Sequence, residues 1–176
     1  DGGSSDGTAG VIKEFGPQLH YWHSKPDRGL YDAMNTGISI ASEGYCYFLN
    51  SGDVFDSPAT ITECAERMDD PDALYVGICT IHSRFGSWTN PGSPRHVRRI
   101  LNKQEHPHHQ SLFYPVSFLK KDGFDIRYRY IADVVLNTLA INVLEINYLP
   151  IMIAHSDLGG FSTGAQSWKQ IRRYVS

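Results

Sequence analysis

The sequence predicts a layered α/β fold, in which helices cover both faces of a sheet. Segments typical of strands alternate along the chain with segments typical of helices, which is the pattern of such layers. Residues 45–49, Tyr-Cys-Tyr-Phe-Leu, form a continuous apolar run, as expected for a strand buried on both faces. The 176 residues are enough to bury the core of one compact domain.

Helices are predicted where apolar residues recur every three or four positions and where flanking residues start or stop a helix. The clearest case is 29–42. Its residues Leu30, Met34 and Ile38 fall on one side. Ser57 is placed to cap the next helix, which has a proline at its first position. The predicted helices are 8–15, 29–42, 58–68, 116–121 and 130–141.

Strands are predicted from short runs of apolar, β-branched and aromatic residues. Besides 45–49, the predicted strands are 19–23, 74–81, 111–114 and 145–154. Residues 83–94 are rich in Gly, Ser, Asn and Pro, so this segment is expected to be a hairpin or a mobile loop. A glycine-rich loop is predicted at 157–164, before a last helix.

Composition limits the classes of partner and the compartment. A formal net charge of −3 argues against a general nucleic-acid binder, which carries a basic excess. The three cysteines, Cys46, Cys64 and Cys79, form no CxxC pair, so a reducing compartment is the simpler inference. No apolar run approaches the roughly 20 residues that span a bilayer, and we expect a cytoplasmic protein.

Basic side chains cluster at two places, which are Arg95, Arg98 and Arg99 and then Lys169, Arg172 and Arg173. A solvated helix face explains either cluster. The second cluster lies on a helix-like tail that also has apolar residues. A basic amphipathic tail of this kind also fits contact with an anionic membrane surface, such as the inner face of the plasma membrane. Both interpretations stay open.

Two polar loops are candidates for ligand binding, because ligands of an open α/β sheet gather beyond the carboxyl ends of its strands. In the first, residues 1–8, Asp1 and Asp6 can accept hydrogen bonds from a base or a ribose, although many such loops are only turns. The second, residues 50–53, follows the buried strand. Its Asp53 is either an oxygen ligand for a divalent cation or the cap of the next turn.

Three sequence blocks occur in order: Asp-Gly-Gly-Ser-Ser-Asp-Gly-Thr at 1–8, Pro-Asp-Arg-Gly-Leu-Tyr-Asp-Ala-Met-Asn at 26–35 and Phe-Leu-Asn-Ser-Gly-Asp at 48–53. Together they resemble the nucleotide-binding half of family 2 glycosyltransferases, and most closely the branch that builds bacterial exopolysaccharides such as colanic acid. Later segments are similar to the acceptor half of that family, and they are His109-Gln110, Gly123-Phe124-Asp125, Ala132-Asp133 and Gly159-Gly160-Phe161-Ser162. The resemblance covers nearly the whole chain.

The resemblance implies a GT-A type fold and the transfer of a sugar, with inversion, from a nucleotide diphosphate donor. The acceptor would be a saccharide or a lipid-linked saccharide in polysaccharide biosynthesis. It also implies one domain over 1–176, with a nucleotide-binding part at 1–56 and an acceptor-side part at 57–176. Mn²⁺ or Mg²⁺ would neutralise the charge that develops on the diphosphate leaving group.

Site residues are carried over from the same resemblance by matching position. Those on the nucleotide and donor side are Asp1, Ser4, Asp6, Arg28, Asn35 and Asn50. Those on the acceptor or diphosphate side are His109, Gln110 and Gly160. Asp53 would hold the metal. Asp133, with apolar surroundings from Ile131, Val134 and Val135, would be the general base that takes the proton of the acceptor hydroxyl.

The sequence departs from the family pattern in two ways. Asp53 is the only carboxylate of its loop, where many relatives have two or more, so the donor's phosphates are expected to share in holding the metal. A strand, a helix and a second strand precede the first loop in the family and are absent from these residues. Their absence predicts a long exposed apolar sheet edge and self-association. A non-catalytic domain that binds saccharide or nucleotide is the alternative interpretation.

A zinc hydrolase is a second alternative, because His106, His108 and His109 are close together in the sequence. Adjacent His108 and His109 would point in opposite directions on a strand, and no second ligand cluster follows, so this alternative is disfavoured. His155 is a candidate either for the same cleft or for a structural hydrogen bond.

Overall fold

The structure is a computed structural model that describes residues 1–157. The helices are α1 Thr8–Phe15, α2 Leu30–Ile40, α3 Thr60–Ala65, α4 Pro94–Leu101, α5 Val116–Asp122 and α6 Ala132–Val143. The strands are β1 Tyr45–Cys46, β2 Val54–Phe55, β3 Leu74–Ser83, β4 Gly86–Asn90, β5 Leu112–Pro115 and β6 Ile146–Asp157. Two short 3₁₀ turns, Gly16–Gln18 and His109–Ser111, accompany them.

Within residues 1–157, six strands form a sheet in the order β1-β5-β3-β6-β2, with β4 paired to the outer part of β3. β3 and β6 are parallel, from Leu74 opposite Ile146 to His82 opposite Asp157, whereas the other pairs are antiparallel. Because β5 is antiparallel to both β1 and β3, the strands β1, β3 and β6 share one direction. Their carboxyl ends therefore point toward one edge of the sheet, the edge at which open α/β sheets bind ligands.

Each face of the sheet has its own apolar core. On one face, Val76 and Tyr114 pack with residues of α2, α4, α5 and α6. On the other face, Cys79 and Phe113 pack with Cys64 of α3. The predicted layers, with helices on both faces of the sheet, are confirmed.

Most elements lie where the sequence predicts them. α1 has the predicted bounds, and α2, α5, α6, β3, β5 and β6 begin within two residues of the predicted starts. Residues 83–94 form a hairpin, because β4 pairs with the end of β3. α3 begins at Thr60 rather than at residue 58, since the Ser57 hydroxyl accepts a hydrogen bond from the N–H of Ala59 at 3.2 Å and closes a turn before the helix.

The predicted strand at 19–23 is wrong. Within residues 1–157 the segment pairs with no strand, and Leu19 and Tyr21 are 43% and 52% exposed. Two backbone bonds tie the neighbouring chain to the first loop instead. The amino group of Asp1 donates to the carbonyl of His23 at 3.0 Å, and the N–H of Lys25 donates to the carbonyl of Asp1 at 3.1 Å. These two hydrogen bonds hold the first loop against residues 23–25 but do not form the repeated pairing of a β-sheet.

The predicted strand at 45–49 is shorter and less buried than expected. Tyr45 and Tyr47 pack against one core, and Cys46 and Phe48 against the other, as a strand between two layers should. Burial is partial, and Leu49 is 41% exposed, because β1 has the neighbour β5 on one side only. The strands at the two ends of the sheet order, β1 and β2, have two residues each. Because β2 pairs with only Ala154 and His155 of the twelve residues of β6, the expected long apolar edge stays a prediction.

Among residues 1–157, no helix is long and apolar enough to cross a membrane.

Candidate functional site

The candidate site lies at the edge of the sheet where β1 ends. Three segments reach it: the turn 50–53 after β1, the turn His109–Ser111 before β5, and the start of α6. β5 begins there because it is antiparallel to β1. Phe48, just before the turn 50–53, stacks on His109, and Asn137 of α6 bonds to Tyr114 beside His109, so the three segments meet in one cluster.

Asp53 is positioned by the turn that follows β1. Its N–H donates to the carbonyl of Asn50 at 3.0 Å, and the positive φ of Gly52, 94°, lets the chain close this turn. The Oδ2 atom of Asp53 is buried and has no hydrogen-bond partner among residues 1–157. Because a buried polar atom without a partner is costly, this oxygen is suited to a ligand that brings a cation or a donor. Burial, with a smaller effect of the Asp53 charge, raises the pKa of Cys79 to about 12.

His109 is a buried imidazole surrounded by aromatic side chains. Its ring stacks on Phe48 with centroids 5.7 Å apart and meets Phe124 edge to face at 6.0 Å. Its Nδ1 lies 3.2 Å from the hydroxyl of Tyr114, which donates its own proton to Oδ1 of Asn137. Nδ1 therefore carries the ring proton, and the buried Nε2, which has no partner within residues 1–157, has the lone pair. Burial lowers the pKa of His109 and favours this neutral form.

His108 belongs to the same cluster, contrary to the argument from strand alternation. The two histidines lie at the start of a 3₁₀ turn rather than on a strand, so adjacent side chains need not point in opposite directions. Nδ1 of His108 is buried and has no hydrogen-bond partner in the described part of the chain. Burial lowers the pKa of His108, against an opposing effect of Asp53 and Asp133. The neutral ring can thus offer a nitrogen to a ligand.

Asp133 begins α6 and is held by Tyr31 of α2. The hydroxyl of Tyr31 donates to Oδ1 of Asp133 at 2.8 Å. Burial, and then the charge of Asp133, raises the pKa of Tyr31, so the phenol stays protonated and continues to donate. The predicted apolar surroundings are only partly present, since Val134 is 51% exposed. Asn137 lies one helical turn after Asp133, so the same side of α6 also contacts the His109 network.

A divalent cation fits these residues only with help from a ligand. Within residues 1–157, no three His, Cys, Asp or Glu side chains are grouped closely enough to hold a metal ion. The partnerless atoms Oδ2 of Asp53 and Nδ1 of His108 are two donors that Mn²⁺ accepts. They suit a cation that takes its other ligands from a bound phosphate. Because no such group of three side chains is found in residues 1–157, a zinc hydrolase based on His106, His108 and His109 is disfavoured.

The first loop is organised by its own carboxylates. Oδ2 of Asp1 accepts from the N–H of Ser4 at 3.1 Å and from the hydroxyl of Ser24. Oδ1 of Asp6 accepts from the N–H of Thr8 at 3.1 Å at the start of α1, and the hydrogen bonds from Thr8 lower the pKa of Asp6. Both carboxylates thus fix the shape of the loop, and their contacts with a nucleotide stay predictions.

A cavity of about 300 Å³ lies beside the Tyr31–Asp133 pair and has two arginines in its wall. Its lining includes Arg28, Tyr31, Asp32, Ile126 and Arg129. Arg28 forms an ion pair of 2.6 Å with Asp32. Guanidinium groups recognise carboxylate and phosphate, so this cavity suits an anionic group.

Three further predicted residues support the walls of the cluster. The side-chain amide of Asn35 forms two hydrogen bonds of 2.8 Å with the backbone of Phe124. Its Nδ2 donates to the carbonyl of Phe124, and its Oδ1 accepts from the N–H of Phe124. It therefore positions an aromatic wall of the site, and its contact with the donor stays a prediction. Gln110 is buried, and its backbone carbonyl accepts a hydrogen bond from the hydroxyl of Tyr47 at 2.6 Å. Asn50 lines an open groove of about 560 Å³ along α2.

Two predicted residues do not belong to this cluster as described. Gly160 lies outside residues 1–157. His155 bonds to His82 and Asp56 instead, at 3.2 Å and 2.9 Å. Of the two alternatives for His155, hydrogen bonding away from the cleft is the one found.

Sequence reasoning missed Tyr31, His108, Asn137 and Arg129 as members of the site. Asn137 follows Asp133 by four residues on a helix, and this spacing could have identified it. Tyr31 lies within the second block of the resemblance, but its partner is 102 residues away and no spacing reveals it. No signal in the sequence distinguishes Arg129 from a surface arginine.

Comparison with known proteins identifies the family. The model of the family described as glycosyl transferase family 2 matches residues 1–134, which include Asp53, both histidines of the cluster and Asp133. An uncharacterized glycosyltransferase of Mycobacterium tuberculosis (strain CDC 1551 / Oshkosh) is 31% identical over 144 residues, 76% of this chain and 52% of its own. A PGL/p-HBAD biosynthesis glycosyltransferase of Mycobacterium bovis (strain BCG / Pasteur 1173P2) is 29% identical over 171 residues, 92% of this chain and 65% of its own.

Solved structures with the same fold confirm the predicted GT-A-like architecture. The crystal structure of S. aureus TarS 1-349 in complex with UDP matches with a TM-score of 0.66 at 15% identity, over 99% of this chain and 53% of that chain. The complex of the same protein with UDP-GlcNAc gives a TM-score of 0.62, also at 15% identity, over 98% and 54%. The chain spans about half the length of TarS 1-349 and of the M. tuberculosis relative. Because the family model matches residues 1–134, most of this chain, the chain belongs to glycosyltransferase family 2.

Proposed function

We propose that this chain carries the catalytic centre of a glycosyltransferase. It would move a sugar, with inversion, from a nucleotide diphosphate donor to a hydroxyl of a saccharide or a lipid-linked saccharide. The main support is the meeting of Asp133, held by Tyr31, with the buried partnerless atoms of Asp53, His108 and His109. A base beside atoms suited to a cation and its phosphates is what displacement of a diphosphate from a sugar needs.

Asp133 would act as the general base. The acceptor oxygen attacks the anomeric carbon, its proton passes to the carboxylate, and the bond to the diphosphate oxygen breaks on the opposite side of that carbon. The electron pair leaves with the nucleoside diphosphate, and the configuration is inverted. Tyr31 holds the carboxylate in one orientation and keeps its own proton. A positioned base contributes typically about 10²–10⁴-fold to such a step.

The leaving group would be received by the histidine side of the cluster. Asp53 and His108 would hold Mn²⁺ or Mg²⁺ together with phosphate oxygens of the donor, and the cation would act as a Lewis acid on the departing diphosphate. Nε2 of His109, which has the lone pair, would accept a hydrogen bond from a hydroxyl of the donor. Arg28 and Arg129 would contact an anionic part of a substrate in the cavity beside Tyr31.

Uridine diphosphate is the first nucleotide to try, because TarS, which has the same fold, binds UDP and UDP-GlcNAc. Asp1 and Asp6 would meet the base and the ribose, with Ser4 and Asn50 on the same side. The mycobacterial relative named for PGL/p-HBAD biosynthesis supports a biosynthetic role. We place this activity in the cytoplasm, at the inner face of the plasma membrane if the acceptor is lipid-linked.

Calorimetric titration with UDP, with and without Mn²⁺, tests the donor site. We expect saturable binding that Mn²⁺ strengthens. Asp53→Asn should remove the effect of Mn²⁺, because it removes the charge of the partnerless carboxylate. Asp56→Asn is the matched control, since Asp56 is on the same segment but bonds to His155.

Either of two results would contradict the proposed donor site. One is the absence of UDP binding by the folded chain. The other is equal UDP affinity with and without Mn²⁺. Sugar binding without any nucleotide effect would favour the non-catalytic alternative.

A further inference from the structure

A second pair of imidazoles lies near the carboxyl ends of β3 and β6. His82 of β3 and His155 of β6 approach each other across adjacent parallel strands, with Nε2 of His82 3.2 Å from Nδ1 of His155. The hydrogen bonds of this pair go to Asp56 and Ser87, whereas Asp133 bonds to Tyr31 and His109 contacts Tyr114, so the two sites use different side chains.

We propose that His82 and His155 bind one transition-metal ion of the Zn²⁺ type, at a site separate from the donor cleft. A Zn–N bond is about 2.0–2.1 Å long, so two bound imidazole nitrogens lie about 2.9 Å apart at a right angle and about 3.3 Å apart at a tetrahedral angle. The observed 3.2 Å separation of the two nitrogens falls within this range. Because the two nitrogens now face each other in a hydrogen bond, both rings must turn before their lone pairs meet at one ion.

The outer nitrogens of both rings are already held, as they are in most histidine metal sites. Nε2 of His155 lies 2.9 Å from Oδ1 of Asp56, and a carboxylate accepts the proton of that nitrogen. Nδ1 of His155 is then left with its lone pair. Nδ1 of His82 lies 2.7 Å from the hydroxyl of Ser87, which can donate or accept. His82 can therefore move its proton to Nδ1 and free Nε2 for a metal without losing its outer hydrogen bond.

The surroundings favour a cation and leave it accessible. Asp157 is the register partner of His82 on the same face, so it and Asp56 give two carboxylates beside the imidazoles. The side chains of His155 and Asp56 are 33% and 41% exposed. Within residues 1–157 no third ligand of the His, Cys, Asp or Glu type joins the pair, so water or an external ligand would complete the coordination. Imidazole ligands select Zn²⁺, Cu²⁺ and Ni²⁺ over Mg²⁺.

Titration of the chain with Zn²⁺ against a chromophoric chelator tests the proposal, and Co²⁺ absorption reports the ligand geometry. We expect one equivalent of Zn²⁺ to bind. His82→Asn and His155→Ala should each abolish this equivalent, and Asp56→Asn should weaken it about 10- to 100-fold through the outer hydrogen bond. His106→Ala and Asp53→Asn are the controls and should retain it. Circular dichroism and thermal unfolding show whether each variant is folded, and His82→Asn keeps a polar side chain of similar reach.

Two results would overturn this metal site. One is a folded wild-type chain that binds no equivalent of Zn²⁺. The other is Zn²⁺ binding that survives His82→Asn and His155→Ala, or that disappears with Asp53→Asn, because the ion would then be held elsewhere. Neither result bears on UDP binding, which tests the donor site separately.

Discussion

The hydroxyl of Tyr31 donates a hydrogen bond of 2.8 Å to Oδ1 of Asp133, and so joins α2 to the start of α6 across 102 residues of sequence. The aromatic ring of Tyr31 stacks on Phe124, with centroids 5.4 Å apart. Asn35, one turn further along α2, holds Phe124 by both of its backbone groups. α2 therefore fixes the carboxylate proposed as the base and an aromatic wall of the same site.

Replacing Tyr31 by phenylalanine should slow transfer and leave donor binding unchanged. The ring and its packing remain, but the hydrogen bond that orients Asp133 is lost. A hydrogen bond to a charged group contributes about 1.5–3 kcal/mol, so we expect kcat to fall about 10- to 100-fold. Steady-state kinetics with a donor that supports turnover would measure it, with Tyr148→Phe on β6 as the control. A fall in donor affinity at unchanged kcat would show that Tyr31 does not act through Asp133.

Replacing Asn35 by alanine should destabilise the fold. Two hydrogen bonds of 2.8 Å to Phe124 are lost, and the N–H and carbonyl of Phe124 lose their side-chain partner. At about 0.5–1.5 kcal/mol for each bond, the free energy of unfolding should fall by about 1–3 kcal/mol. Urea unfolding measures this change, and the exposed Asn142→Ala on α6 is the control. Equal stability of the two variants would contradict a clamp by Asn35.

Stability should depend on pH through His109. Burial lowers its pKa below the ordinary 6.5, so the unfolded chain takes up a proton at a pH at which the folded chain does not. The free energy of unfolding should be highest above pH 6.5 and fall below it, by up to about 1.4 kcal/mol per pH unit for one proton. His109→Gln should make this fall shallower in urea unfolding at a series of pH values. The exposed His106→Gln controls for the loss of an imidazole, and an unchanged slope in His109→Gln would be the contrary result.

Alanine substitutions at two glycines, one in β3 and one in α2, test how tightly each element is packed. A Cβ at Gly77 of β3 would lie 2.6 Å from Cγ1 of Ile153 and 3.2 Å from the carbonyl of Ile151. Gly77→Ala should therefore lower the free energy of unfolding by about 1–3 kcal/mol. At Gly37 of α2 a Cβ would meet nothing within 4 Å, and Gly37→Ala should raise stability by about 0.5–1 kcal/mol. Thermal or urea unfolding of the pair gives the sign of each change, and equal shifts would contradict the packing of β3 against β6.

The sequence predicts well those elements whose period is long and regular. α2, α6, β3 and β6 each have enough residues to show a helical spacing or an apolar run, and the structure confirms them. β2 has two residues, too few to show a period, and exists because it pairs with β6 far along the chain. For the segment 19–23 a strand was predicted that does not form, because its strand-like residues have no partner strand among residues 1–157.

The site was predictable from the sequence only through the resemblance. Asp53 and Asp133 were matched by position, and the segments to which they belong meet around His109. The partnerless nitrogen of His108 could not be foreseen, because it depends on a 3₁₀ turn that begins before the predicted strand 111–114. The Tyr31–Asp133 bond and the His82–His155 pair both join distant segments, so local spacing contains no sign of them.

The most direct test of the proposed activity is to compare Asp133→Asn with the wild-type chain in sugar transfer and in UDP binding. Asparagine keeps the shape of the side chain and cannot take the proton of an attacking hydroxyl. We expect transfer to fall by at least about 10²-fold, the lower range for a positioned base, while metal-dependent UDP affinity stays within about twofold. Transfer at the wild-type rate by a folded Asp133→Asn variant would show that Asp133 is not the base.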